Sequence, residues 1–363
     1  MVHLLPRTPR RPEGTALYQL VARHLEPFLA RIQTDDRHGP LPRFVTRELR
    51  AYLDCGRLAR GFCRVHCDAC RKDNLVAFAC KRRGFCPSCG ARRMADTAAW
   101  LVDRVIPDVP VRQWVLSLPH RIRHLCAFDH HAAREVRGVV IRVISAFDRR
   151  QTKKLAARTK TGAIAFTQRF DSALRLNLHF HTLWPDGVFD CASSRDDATF
   201  HEAPQPTQAD IERLAHTIET RVLRRLRRCG RLTDLDGADS SAHDPSLFDT
   251  MRAAAILGVS ALGPRQGRSD PRLRQDAPGS DFDRGKLCAN SNGFSLHGGV
   301  RVDACNKKRL EKLIRYAARP PIVPQRLTIT ENGRRSMPSS DPGATAPHTS
   351  CSSRKPCWSG SPL

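Results

Sequence analysis

The sequence predicts an α+β protein in two parts, a small cysteine-rich module followed by a larger unit of strands and amphipathic helices. Three observations predict it. Seven cysteines crowd between Cys55 and Cys89. The stretch from Ser172 to Leu183 alternates apolar and polar residues with period two. Apolar residues recur at helical spacing in long segments on both sides of that stretch.

Taken in order, residues 15–34 place Leu17, Leu20, Val21, Leu25, Phe28 and Leu29 on one helical face, with Pro27 as a kink or stop. A second helix is expected over Pro42–Leu53, a short strand over Asn74–Ala79 and a helix over Ala91–Ile106. Val111–Leu118 reads as a strand, and Asp129–Arg150 as a long amphipathic helix carrying Val136, Val139, Val140, Val143, Ile144 and Phe147. Ala163–Phe170 and Leu174–Leu183 are the next strands, closed by a turn at Pro185–Gly187. A helix fits Gln208–Arg228. Residues 231–290 read as an insertion or long loop with one short helix near Ser246–Ile256. Gly293–Val302 returns to strand, and a helix over Asn306–Ala318 stops before Pro320 and Pro321. The Ser/Pro-rich tail from about Arg335 reads as poorly ordered.

Charge narrows the partners. The 363 residues hold 61 Lys and Arg against 36 Asp and Glu, a formal charge of +25. Self-repulsion on that scale favours an anionic partner, and nucleic acid is the commonest, because cationic side chains displace the counterions condensed on phosphate. No apolar run approaches the ~20 residues that span a bilayer, and no signal peptide opens the chain. A cytosolic protein is expected, associated with the nucleoid and not with membrane. Cysteines there point to metal rather than to disulfides.

The metal reading rests on spacing. Cys67-Asp-Ala-Cys70, fifteen residues, then Cys86-Pro-Ser-Cys89 matches two C-x2-C turns closing on one structural zinc. Cys55, Cys63 and Cys80 read either as buried small residues or as ligands in exchange with one of those four. Arg82, Arg83, Arg92 and Arg93 form part of a basic collar suited to DNA phosphates.

On the alternating strand Leu174, Leu176, Leu178 and Phe180 share one face, and Arg175, Asn177, His179 and His181 share the other. Residues two apart on a strand stand about 7 Å apart, so two imidazoles can lean onto one cation. Histidines merely hydrogen-bonded on a strand are the plain alternative. Of three tyrosines, Tyr18 falls in the first apolar helix and Tyr52 precedes the cysteine segment. Tyr316 lies at the edge of the Leu310, Leu313, Ile314, Ala317 stripe, among Lys312, Arg315 and Arg319, cations that stabilise phenolate and hold phosphate. A half-buried amphipathic tyrosine explains the position equally well.

Four runs, Cys86–Met94, Trp114–Arg121, Asn177–Leu183 and Arg315–Pro321, come in an order that resembles rolling-circle insertion-sequence transposases with an N-terminal transposase zinc-binding domain. The resemblance implies a His-hydrophobic-His (HUH) endonuclease: an antiparallel sheet flanked by helices, with His179 and His181 holding catalytic Mg²⁺ or Mn²⁺ and Gln168 as third ligand. Tyr316 would attack single-stranded DNA at the element ends and form a 5′-phosphotyrosine link. Members of this family carry two catalytic tyrosines four residues apart, whereas positions 312 and 320 are Lys312 and Pro320, so this chain would work with one. Relatives also continue in ordered sequence past the tyrosine helix. A shifted reading frame or truncation explains the loss of pattern after about Arg334 and implies a degenerate copy. The implied domains are an N-terminal helical arm (1–40), a zinc-binding domain (41–95), the nuclease (96–322) and a tail (323–363). Without the nuclease, the alternatives are a zinc-ribbon DNA-binding protein or a water-activating metal phosphoesterase.

Overall fold

The computed structural model describes residues 11–33, 41–82, 84–152, 159–171, 174, 176–190, 198–232, 287–322, 327–329 and 335–336. The short helix expected near Ser246–Ile256 and nearly all of the tail lie outside them. The chain forms two compact units, Met1–Thr97 with Ser172–Leu174 and Arg319–Leu363, and Ala98–Asp171 with Arg175–Ala318.

In the first unit, α1 (Ala16–Gln33) buries Leu17, Val21, Leu25, Phe28, Leu29 and Ile32, a stripe at helical spacing. Pro27 neither ends nor interrupts it. The proline is on the exposed side, together with Arg23, so the carbonyl that loses its donor can turn to water. α2 (Arg43–Asp54) adds Leu49 and Tyr52 to the same core, which also takes in Cys55 and Cys86. A ribbon of β1 (Phe62–Cys67) and β2 (Lys72–Ala77) follows, pairing Phe62 with Ala77 and Cys67 with Lys72. Two-stranded ribbons are marginal alone. This one is fastened at its base, where Gly56 N–H donates to Phe78 O and Phe78 N–H to Gly61 O, both at 2.9 Å. α3 (Pro87–Trp100) begins in this unit. Thr328–Ile329 pairs with Arg335–Ser336.

The second unit is organised by one antiparallel five-stranded sheet. Its elements are β3 (Val111–Ser117), β5 (Ile164–Phe170), β6 (Leu176–Pro185), β9 (Cys288–Ser291) and β10 (Phe294–Val302), in the order β5-β6-β3-β10-β9. A smaller sheet joins β4 (Thr159–Lys160), β7 (Gly187–Asp190) and β8 (Thr199–Glu202), so the chain passes the expected turn at Pro185–Gly187 straight into another strand. β9 and β10 meet in a two-residue hairpin at Asn292 and Gly293, both with positive φ, as a type I′ turn requires.

Alternation on the central strands separates the two faces of the large sheet. Trp114, Leu116, Leu178, Phe180, Trp184 and Leu296 pack into one core with α5 (His130–Gln151) and α6 (Gln208–Arg228). α4 (His120–Phe128) contributes Ile122 and Cys126. Asp129 caps α5, and Thr207 with Asp210 forms a capping box on α6. On the opposite face Val111, Leu183 and Val302 meet Leu310 and Ile314 of α7 (Lys307–Ala317). A π-helical turn, Leu101–Val105, closes that cluster.

One buried ionic joint pins the sheet. Arg112 grips Asp186 with two hydrogen bonds, at 2.7 and 2.8 Å, and donates to Gly298 O at 2.9 Å. Gly298 sits where the β10 register shifts between His297 and Val300, and a Cβ there would stand 2.6 Å from the Trp114 ring. Only glycine lets that carbonyl approach.

Candidate functional site

Four thiols converge in the first unit. Cys55, at the end of α2, and Cys80, beyond β2, meet Cys86 and Cys89, with all four sulfurs within 4.8 Å of one another. The fastening of the ribbon base at Gly56 and Phe78 brings Cys55 beside Cys80, whose backbone N–H donates to the Cys55 sulfur at 3.3 Å. Sulfur separations of 3.6, 3.6 and 3.7 Å match the ~3.8 Å edge of a tetrahedron with ~2.3 Å zinc–sulfur bonds. The donors fit zinc. Their protons compete: a hydrogen bond from Cys86 draws Cys55 down to about 5, and burial pushes Cys80 up to about 12. A dication relieves that competition by favouring thiolate at all four.

Cys67 and Cys70 stand elsewhere. They occupy the tip of the β1–β2 ribbon, about 17 Å along the strands from its base at ~3.3 Å per residue. The C-x2-C spacing therefore pairs Cys67 and Cys70 with Cys86 and Cys89 in sequence, but the fold groups Cys86 and Cys89 with Cys55 and Cys80. Cys63 is exposed on β1, its thiol 3.7 Å from Val76 O.

The second unit holds the histidine pair. His179 and His181 are buried on β6, both on the α7 side of the sheet, with ring centroids 5.0 Å apart. Tyr316 of α7 lies edge-on to His181, 5.6 Å between centroids and 84° between planes. The pair and the phenol therefore share one side of one sheet. His179 Nδ1 donates to Asn177 O at 2.6 Å, which leaves Nε2 to act as a ligand. His181 Nδ1 lies 3.2 Å from the side-chain amide nitrogen of Gln113 on β3, and both residues are wholly buried. Turned with its oxygen toward the ring, that amide accepts from Nδ1–H and Nε2 of His181 presents a lone pair. As placed, the Gln113 oxygen has no hydrogen-bond partner among the described residues, and turning the amide by half a turn would give it one. Histidines so oriented fit a divalent cation.

Gln168 stands directly across from His179 in the β5–β6 register. Its amide nitrogen donates to the carbonyls of Tyr316 (3.1 Å) and Ala317 (2.9 Å), at the C-terminus of α7. Tyr52 belongs to the first unit's core, where burial pushes its phenol up to about 12. The Arg57 guanidinium lies over the Tyr18 ring, 5.9 Å from its centroid. Of the cations singled out in sequence, Arg92, Arg93, Lys312 and Arg315 are exposed, Arg82 and Arg319 half-buried, and Arg83 falls outside the described residues. Arg315 pairs with Glu311 one turn back on α7.

Two family models match the chain. Transposase zinc-binding domain covers residues 21–118 and Putative transposase covers residues 162–342. The chain belongs to the IS91-type transposases. No curated protein and no solved structure matches it. As a transposase it acts on DNA, through a chain with a zinc-binding domain and a four-cysteine cluster able to hold a metal. Among its described residues no helix is long and apolar enough to cross a membrane.

Sequence reading of the transposase passed over Gln113 and left Cys55 and Cys80 between two readings. Gln113 was detectable as the amide between two valines on the face Val111, Gln113, Val115 of β3. Cys55 and Cys80 were detectable only by pairing FCRVHC with KDNLVA as a hairpin, which sends the Cys67–Cys70 turn away from the base.

Proposed function

We propose that this transposase is an HUH-type nickase and strand transferase for rolling-circle transposition, cutting single-stranded DNA at the element ends through a covalent tyrosine link. The observation that carries the reading is the common placement of His179, His181 and Tyr316 on one face of the sheet, with ring centroids 5.0 and 5.6 Å apart in succession. His179 and His181 would hold Mg²⁺ or Mn²⁺, with Gln168 as the third ligand. Such a cation would polarise the scissile phosphate and neutralise developing charge.

The Tyr316 phenol oxygen attacks phosphorus and loses its proton to solvent. The bond from phosphorus to the 3′ oxygen breaks, and that oxygen takes up a proton to leave a 3′-OH. A 5′-phosphotyrosine remains and conserves the bond for later joining. Gln168 keeps the tyrosine end of α7 against β5, next to His179, which limits the distance the phenol must travel. Lys312 and Arg315 offer phosphate contacts on α7. Arg82, Arg92 and Arg93 would do so beside the zinc module, where Cys55, Cys80, Cys86 and Cys89 are the ligands. One tyrosine serves the reaction.

Incubating the full chain with single-stranded oligonucleotides and Mn²⁺ tests the reading. A protein–DNA adduct that disappears in Tyr316→Phe supports it. Cleaved but unattached products would instead indicate a water-activating phosphoesterase, and binding without cleavage a zinc-ribbon DNA-binding protein.

A further inference from the structure

The helix layer on the far side of the sheet from the histidine pair carries a second cationic feature. Val139 and Arg142 of α5 and Arg221, Arg224, Arg225 and Arg228 of α6 line a groove of about 120 Å³. On α6 these arginines fall at i, i+3, i+4 and i+7, so they share one helical face. Gly138 leaves room for Arg142, whose guanidinium lies 3.3 Å from where a Cβ would be. Among the described residues a single carboxylate, Glu135, reaches this set: it binds Arg225 at 2.6 Å, and the Arg142 charge also holds its carboxyl low. Among the described residues, Arg221, Arg224 and Arg228 make no ion pair.

Packing does not require this arrangement. Like charges three and four residues apart weaken a helix. The helix dipole favours cations only in the last turn, which leaves Arg221, Arg224 and Arg142 unexplained. A ligand with regularly spaced negative charge resolves the repulsion. From Arg221 to Arg228 the helix advances about 10 Å. Phosphates along one duplex strand advance about 3.4 Å each, so the row matches roughly three of them.

We infer that the α5–α6 groove is a second DNA-binding site that grips the phosphodiester backbone outside the cleavage centre, without reading sequence. It rests on the DNA-acting nature of the transposase and not on the metal–tyrosine chemistry. Planar guanidiniums suit phosphate oxygens, which they can meet with two parallel donors.

The experiment compares the full-length protein with the combined variant Arg221→Gln, Arg224→Gln, Arg228→Gln, leaving Arg225 to hold Glu135. Duplex and single-stranded DNA of equal length are titrated across a salt series. The expected result is an affinity about ten-fold or more lower, and a log–log salt slope reduced by about 2 to 3, near 0.9 per lost phosphate contact on duplex. The DNA form that loses more identifies the natural ligand. The corresponding triple lysine variant should keep most of the slope, and adduct formation on a short oligonucleotide covering only the cleavage site should be unchanged. An unaltered salt slope, or equal loss in the lysine and glutamine variants, overturns the proposal. A reduced slope in a protein that forms no adduct leaves the groove standing and removes the nuclease reading alone.

Discussion

Gln113 and His181 show how one buried hydrogen bond can decide what a histidine does. An imidazole binds a cation through one nitrogen only if the other carries the proton. The Gln113 amide, its nitrogen 3.2 Å from Nδ1, holds that proton in place once turned to present its oxygen. Gln113→Leu should lower Mn²⁺ affinity about 10- to 100-fold, measured by the Mn²⁺ resonance signal, while Gln113→Glu, which still accepts from Nδ1–H, should restore most of it. Equal loss in both variants would make Gln113 a packing residue. The cysteines allow a sharper test, because sequence spacing and fold choose different sets. Zinc content should fall from about one per chain to near zero in Cys55→Ser or Cys80→Ser and persist in a Cys67→Ser, Cys70→Ser double variant. The reverse outcome would restore the ligand set that the spacing suggests. A C-x2-C motif names residues able to bind a metal, but hairpin geometry decides which of them meet, and that geometry depends on pairings far apart in the chain.

At the scale of elements, α5 holds a group that works against stability at high pH. Asp148 is buried there, its Oδ2 without a hydrogen-bond partner among the described residues. Burial, reinforced by the charge of Asp186 and opposed by Arg112, pushes its carboxyl up to about 8. The folded protein thus keeps this proton to about pH 8, whereas the unfolded chain releases it near 3.9. Between those values the native state binds more protons, so stability falls as pH rises, by up to about 1.4 kcal/mol per unit. Urea melts at about pH 5 and about pH 8 should show that fall in the parent and a flatter dependence in Asp148→Asn. Identical slopes would contradict it. Elements of this kind differ in how legible they were. β6 could be read because period two sorts Leu176, Leu178 and Phe180 from Asn177, His179 and His181. α6 could be read because Thr207 caps a long stripe. β1 could not: its residues are nearly all exposed, and without burial no alternation distinguishes a strand. α4 follows Pro119 with His, Arg and Leu in too short a run to show its period.

Across the whole molecule, a formal charge of +25 suits a transposase that must hold polyanionic DNA. Net charge could be read from composition at once, but its local concentration could not. The α5–α6 arginine groove joins residues about eighty positions apart, and the packing of α5 and α6 into one core puts them together. The active-site proposal has the same character, since His181 and Tyr316 are linked in sequence by nothing but their chemistry. Locating the covalent bond tests it most directly. After reaction of the full chain with single-stranded DNA and Mn²⁺, nuclease digestion and mass spectrometry of the peptides should find the residual nucleotide on the Tyr316 phenol. A nucleotide on Tyr18 or Tyr52, or cleaved DNA with no modified peptide, would contradict the account.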